Sequence, residues 1–262
     1  MNALPLVRRA DVLVIGGATA GVSAAVAAAR AGARVLLLAP RPYLGEDMCA
    51  TLRLRTGSHR SLDAALAKRI FSEGPVATPH HVKRALESAL LEAGVEFFYG
   101  CYATAPLRDG DGALCGAAVA NRAGLQAVAA RCTIDATDRA WFARLAGAAA
   151  RAWPGGDLAF ARSLILPPAE HVERELRLRV RDLSFPSIAE AEQVARDRVY
   201  VDGQLRGAES LHLVSPDPIV CRRTAAEWNP DRPFDLGHLQ PAGVDRLFVL
   251  GGCAEDRKST RL

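Results

Sequence analysis

A glycine turn set between an apolar strand and a small-residue helix constrains this chain more than any other stretch in it. Val12-Leu13-Val14-Ile15 is short, apolar and mostly β-branched, as a strand buried on both faces should be. Gly16-Gly17-Ala18-Thr19-Ala20-Gly21 follows, then an alanine-rich run, then Ala33-Arg34-Val35-Leu36-Leu37-Leu38-Ala39-Pro40. The pattern reads as strand, tight turn, helix, strand. That is one right-handed βαβ unit of about 30 residues, the size of half a dinucleotide-binding fold. Gly16 lets the chain turn sharply, and Gly17 and Ala18 let backbone N–H groups approach a pyrophosphate. Thr19 and Ala20 open a helix whose N-terminus offers partial positive charge to phosphate oxygens, and Gly21 lets that helix pack close on the strand.

Two positions depart from the usual fingerprint. Ala18 stands where the middle glycine is expected, so the backbone approaches a phosphate slightly less closely. Ala39 ends the second strand, where an acidic residue about 20 residues past the turn would accept the ribose hydroxyls. Arg41 follows two residues later. It could meet a 2′-phosphate, which means NADP, or lie over the adenine or pyrophosphate side of FAD. The turn specifies a dinucleotide and leaves open which one. The bland alternative is an α/β unit that carries a glycine turn and no nucleotide.

With 262 residues, half of them hydrophobic, the chain can build one large domain or two smaller ones with real cores. A net charge of +4 with 24% charged residues is ordinary, and the arginines are scattered rather than clustered, so there is no nucleic-acid footprint. The six cysteines (Cys49, Cys101, Cys115, Cys132, Cys221 and Cys253) form no C-x-x-C pair. Their spacing argues against a zinc site or a local iron–sulfur cluster and suits free thiols in a reducing compartment. Arg8-Arg9 precedes an apolar run, but Gly16, Gly17, Gly21 and Arg30 interrupt that run and the βαβ unit accounts for it, so no export signal is read. No segment is long and uncharged enough to span a bilayer. The expected location is cytoplasmic and the expected partner a small-molecule substrate, with no nucleic acid and no membrane. Oligomeric state is left open.

Along the chain, residues 1–10 read as a short leader. Arg41-Pro42-Tyr43-Leu44-Gly45-Glu46-Asp47-Met48-Cys49-Ala50-Thr51-Leu52-Arg53-Leu54 is a loop with too many functional side chains for a plain connector, and residues 57–78 are mixed and turn-rich. From Thr78-Pro79 the pattern is helical, with Val82, Ala85, Leu86, Ala89, Leu90 and Ala93 on one face and Gly94 as a stop. Val95–Tyr99 and Cys101–Leu107 read as strands, and Leu114–Asn121 and Leu125–Ala130 as a small antiparallel meander. Arg131–Asp138 reads as another short buried strand, and residues 139–150 look helical. Glu170–Arg181 is strand or exposed helix, Ile188–Arg198 is helix, and prolines make 216–241 loop-rich. Asp245–Ala254 is an apolar strand meeting a second glycine turn.

Three of these islands carry a family resemblance. Asp11–Gly21 with its following strand, Ile134-Asp135-Ala136-Thr137, and Leu247–Cys253 together resemble the FAD-dependent oxidoreductases of the glutathione-reductase-like superfamily. The resemblance implies a Rossmann-like α/β FAD/NAD(P)-binding domain with a parallel sheet and a β-meander, interrupted by a smaller α+β substrate domain. On this plan residues 1–150 begin the FAD domain, 151–240 form the insert, and 241–255 return. It also implies FAD as cofactor, with Gly16, Gly17, Ala18, Thr19, Ala20, Gly21, Arg41, Gly45, Ala103, Ala136, Thr137, Gly251 and Gly252 around it. Ala103 resembles the position whose backbone meets adenine. Asp138 stands where the family usually has glycine, and Gly252 where it usually has aspartate, so those contacts would come from backbone or neighbours. Some relatives hold iron–sulfur clusters in cysteine-rich segments, which this chain lacks.

The implied activity is hydride transfer between a small organic substrate and the flavin. A proton donor or acceptor would come from the 43–55 loop (Glu46, Asp47, Cys49) or from the 200–240 region (His212, His238, Arg222). Each has a bland reading: the carboxylates as caps, Cys49 as a small buried hydrophobe, His80-His81 as surface residues, Arg222-Arg223 as solvated charge. The rivals are an NAD(P)-binding reductase using Arg41, a flavin-bound RNA-modifying or non-redox enzyme, and a non-catalytic remnant. Asp256–Leu262 is basic, lacks an apolar period and matches the translation of a sequencing-adapter read. The expectation is that the natural chain continues past Glu255 and that this tail is not native.

Overall fold

The computed structural model describes residues 4–56, 65–137, 140–149, 156–166, 170–181, 185–201, 213–214, 219–221 and 236–250. Strand β1 (Leu6–Ile15), helix α1 (Thr19–Arg30) and strand β2 (Val35–Ala39) form the parallel βαβ unit, with Val12 opposite Val35 and Ile15 opposite Leu38. Period-two alternation sends these strands into two cores. Leu13, Ile15, Leu36 and Leu38 face one way, while Val14, Val35, Leu37 and Ala39 face the other. Both faces are covered, which is why the strands read as unbroken apolar runs.

The second core is roofed by helices. After β2 come the short helices α2 (Glu46–Cys49) and α3 (Ala65–Ile70), then the longer α4 (Pro79–Glu92). Thr78 caps α4 by accepting from the His81 N–H at 3.2 Å, with Pro79 at the first helical position. Val82, Leu86 and Leu90 of α4 pack with Val22 and Ala25 of α1 against the sheet. His81 differs from the surface reading: its Nε2 bonds the Arg69 carbonyl at 3.0 Å, so the ring pins α3 to α4. Strand β3 (Glu96–Tyr99) then extends the parallel sheet beside β2.

The first core is closed by the antiparallel meander β4 (Tyr102–Arg108), β5 (Leu114–Asn121) and β6 (Gly124–Asp135). Here the structure differs from the sequence reading in two ways. The expected meander strand and the expected short strand after it are one 12-residue strand, β6. Arg131 does not end it; the side chain simply faces solvent while β1 runs alongside, pairing from Leu6–Ala127 to Ile15–Asp135. For the same reason residues 6–10 are no leader but the first half of β1. Helix α5 (Trp141–Leu145) is shorter than the expected 139–150, ending at Ala146 before Gly147 at φ +85°.

A second sheet follows. β7 (Gly156–Leu166) and β8 (Glu170–Val180) pair antiparallel along their length, so the charged Glu170–Arg181 stretch is strand rather than helix. Helix α6 (Phe185–Val201) contacts β8, and the short strands β9 (Leu213–Val214) and β10 (Ile219–Cys221) both pair with β7. Finally β11 (Leu247–Val249) lies parallel to the end of β6, with Leu247 opposite Thr133 and Val249 opposite Asp135. The parallel layer therefore runs β3-β2-β1-β6-β11. The expected α/β class, with a parallel sheet and a meander, is the observed one. The Asp256–Leu262 tail lies outside the described residues.

Candidate dinucleotide site

In an open parallel sheet, ligands bind beyond the carboxyl ends of the strands. That end of this sheet gathers Gly16–Ala18 after β1, Pro40–Gly45 after β2, Ala136–Thr137 after β6 and Leu250 after β11. The three sequence islands meet here. Ala136 N–H donates to the Ile15 carbonyl at 2.8 Å, and Leu250 N–H donates to the Asp135 carbonyl at 2.8 Å.

Close packing sets the position of α1. Gly16 has φ +120°, and a Cβ there would sit 2.5 Å from the Ala136 carbonyl oxygen; a Cβ on Gly21 would sit 2.2 Å from the Gly16 oxygen. Helix and turn thus touch through backbone, which brings the first N–H groups of α1 to the tip of β1. Gly45, with φ +74°, lies against the turn through its N–H, 2.8 Å from the Gly17 carbonyl. Val82 and Leu86 of α4 fill the space where its side chain would be. Lys83 adds a cation–π contact to Tyr43, with Nζ 4.1 Å from the ring centroid. The loop after β2 is therefore seated on α1 and α4.

A test of whether this end fits a dinucleotide pyrophosphate comes from Asp47. Helix α1 has Ala18 at its N-cap, which offers no side-chain cap. The first N–H groups of a helix have no intrahelical partner and attract anions. Asp47, 28 residues further on, supplies one: the Thr19 N–H donates to its Oδ1 at 3.1 Å and the Thr19 hydroxyl donates to its Oδ2. A carboxylate stands in for an anion at the first turn of α1, so the residues fit a phosphate there. The ribose end fits less well, since Ala39 is fully buried and carries no side-chain acceptor.

The other expected site residues fall as follows. Arg41 Nε lies 3.4 Å from Glu46 Oε2, so its cation is shared with a carboxylate, which works against the reading of Arg41 as a 2′-phosphate contact. Ala103 is buried in β4 opposite Val119, and the link leading to it reaches this end of the sheet, with Cys101 N–H donating to the Ala39 carbonyl at 3.1 Å. Thr137 turns inward. Its N–H and hydroxyl donate to Asp135 Oδ1 at 2.9 and 2.6 Å, and its oxygen accepts from the Trp141 N–H at 2.8 Å. Gly251 and Gly252 lie outside the described residues.

Asp135 is a residue that sequence reasoning passed over. It is fully buried at the end of β6, where Oδ2 accepts from the Ala143 N–H at 2.7 Å. Burial pushes its carboxyl up, while the donors from Thr137, Ala143 and Phe142 pull it back. It ties β6 to the start of α5 and so fixes the Ala136–Thr137 segment beside the glycine turn. An acidic residue closing a strand shortly before a helix, Asp135 ahead of Trp141, was the available signal.

The catalytic candidates are mostly engaged elsewhere. Glu46 faces Arg41, Asp47 caps α1, and Cys49 is buried with its Sγ 3.6 Å from the Pro79 carbonyl. Burial pushes the Cys49 thiol up to about 11, against a smaller pull from Lys83, so it is a poor nucleophile. His212, Arg222 and Arg223 lie outside the described residues, and His238 closes a short 3-10 turn, Leu236–His238, next to Leu239, whose carbonyl accepts from Val249 of β11 at 2.7 Å. Among the described residues no group of three or more His, Cys, Asp or Glu is placed to hold a metal. No helix among them is long and apolar enough to cross a membrane.

Comparison with known proteins matches residues 11–159 to the family described as FAD dependent oxidoreductase. No curated protein matches the sequence. Among solved structures, a geranylgeranyl bacteriochlorophyll reductase-like protein from Thermoplasma acidophilum is similar at TM-score 0.58 and 15% identity, over 95% of this chain and 72% of that one. The p-nitrophenol 4-monooxygenase of Pseudomonas putida aligns at TM-score 0.48 and 16% identity, over 95% of this chain and 73% of that one. The first similarity shows a shared fold.

Proposed function

The chain belongs to the FAD dependent oxidoreductase family, and from that premise we propose that it transfers a hydride between a small organic substrate and FAD held beyond the carboxyl ends of β1, β2 and β6. The observation that carries the reading is the anion position at the first turn of α1, where Thr19 offers both an N–H and a hydroxyl. The flavin supplies the redox chemistry when bound.

The rest falls to this chain. Gly16, Gly17, Ala18, Thr19, Ala20 and Gly21 take the pyrophosphate at the helix terminus. Gly45 and Arg41 hold the loop that lies over it, and the Ala103 backbone meets the adenine. Ala136 and Thr137, fixed by Asp135, line the opposite wall. Residues 1–150 and 241–255 make the cofactor domain in this reading, and 151–240 shape the substrate side. The unpaired thiols Cys49, Cys101, Cys115 and Cys132 support a reducing, cytoplasmic setting.

The visible spectrum of the purified chain, with chromatography of any released cofactor, tests this directly. Flavin bands near roughly 370 and 450 nm, with FAD released, are the expected result. Anaerobic addition of alcohols, amines and hydroxy acids then asks which class bleaches the longer band. A colourless chain that takes up no added FAD would refute the proposal.

A further inference from the structure

We infer that Asp47 is an internal competitor of the cofactor: its carboxylate occupies the anion position at the first turn of α1, and the FAD pyrophosphate must expel it to bind. The inference rests on the FAD reading above and adds to it what governs the occupancy of that site.

The argument begins with α1, which its own N-cap residue Ala18 leaves uncapped. Asp47 fills the role from outside, through the N–H and the hydroxyl of Thr19. The Thr19 N–H is among the donors that a phosphate at this helix terminus would use, and the hydroxyl stands beside it. A carboxylate and a phosphate cannot share them, and two anions side by side repel. Neighbouring charges do not relieve the conflict. The nearby acid, Glu46, already faces Arg41, and among the described residues Asp47 itself has no ion-pair partner. Thr19 is thus a two-donor clasp with two claimants.

The loop backbone is held, while the exposed Asp47 carboxylate is held by its two bonds to Thr19. Gly45 is bonded to Gly17, Val82 and Leu86 pack beneath it, and the Thr51 hydroxyl donates to the Asp47 carbonyl at 2.6 Å. Opening the site therefore requires a side-chain rotation of Asp47 and the loss of its two bonds to Thr19, with α2 staying in place. Without cofactor, Asp47 keeps the first turn of α1 satisfied. With cofactor, the pyrophosphate takes over that task and the carboxylate moves into solvent. Affinity is reduced by the fraction of time the clasp is closed.

Two variants of the full chain, Asp47→Asn and Asp47→Ala, separate the parts. FAD affinity is read by quenching of flavin fluorescence after removal of any bound flavin, and the cofactor-free melting temperature is read alongside. Both variants are expected to bind FAD about two- to fivefold more tightly than the parent, the size of a charge effect at an exposed helix terminus. The Asn variant, which keeps an oxygen for the Thr19 N–H, should melt near the parent without cofactor, whereas the Ala variant should melt lower. Parent and variants binding FAD with equal affinity, or the variants binding it more weakly, would overturn the inference and leave the FAD reading standing. No FAD binding by any of the three would overturn both.

Discussion

Replacing Gly21 with alanine sets two well-known effects against each other. In a helix, alanine is favoured over glycine by about 1 kcal/mol. At this position the new Cβ would lie 2.2 Å from the Gly16 carbonyl oxygen and 3.2 Å from the Ala136 Cβ. A carbon–oxygen contact needs about 3.3 Å, so α1 must back away from the turn by about 1 Å. Overpacking of this kind costs about 1–3 kcal/mol, more when backbone rather than a side chain must yield. Where backbone must yield the clash costs about 2–3 kcal/mol and outweighs the propensity, so a net loss of about 1–2 kcal/mol follows, or roughly 2–8 °C in melting temperature for a chain of this size. The same displacement carries the Thr19 N–H and hydroxyl away from the tip of β1. FAD affinity should then fall about two- to fivefold, because the field of a helix terminus fades within one turn. Thermal melting of the cofactor-free chain and a flavin fluorescence titration measure the two effects separately. Gly110→Ala is the control: nothing lies within 4 Å of its Cβ position. A Gly21→Ala variant that is more stable than the parent and binds FAD equally well would refute the claim that close helix–turn contact positions the site.

Asp135→Asn should cost about 2–3 kcal/mol in urea denaturation, since the amide cannot accept from Thr137 on one side and from Ala143 on the other, and a buried N–H is left facing a donor. Cys49 should alkylate with iodoacetamide about 100-fold more slowly at pH 8 than an ordinary cysteine, because its thiol is pushed from 9.0 to about 11; mass spectrometry of the native chain reads this. Asp109 has its carboxyl held below the ordinary 3.8 by the Ala113 and Asp111 N–H groups and the Arg246 guanidinium. Its contribution is therefore present above that value and is lost as pH falls through the lowered one; an NMR titration should give a midpoint below 3.8, moving up in Arg246→Ala.

The parallel layer was legible because its signals are local. Val12–Ile15, the glycine turn and Val35–Ala39 announce themselves by apolar runs and by spacing, and Thr78-Pro79 announces α4. What was not legible depends on pairing across distance. Arg131 looks like a break in the sequence, yet β6 passes through it because β1 is there to pair with. His81 looks like a surface residue until Arg69 is brought against it. The same limit applies to Asp47, whose role comes from a helix that starts 28 residues earlier and from the lack of a cap at Ala18. The catalytic acid or base stayed out of reach for a different reason: the loops that would supply it carry no periodicity to read.

The pairing of β11 with β6 has a consequence for biosynthesis. The outer edge of β6 at Thr133–Asp135 is completed by a strand that begins at Leu247, after the entire second sheet has been made. On the ribosome, the buried Asp135 and its neighbours therefore wait with an unpaired edge while the intervening chain is translated. Exposed strand edges invite pairing with the wrong chain, and late, distant pairings are the slow ones. The interval between the synthesis of those two strands is therefore one in which this edge is open to pairing with the wrong chain.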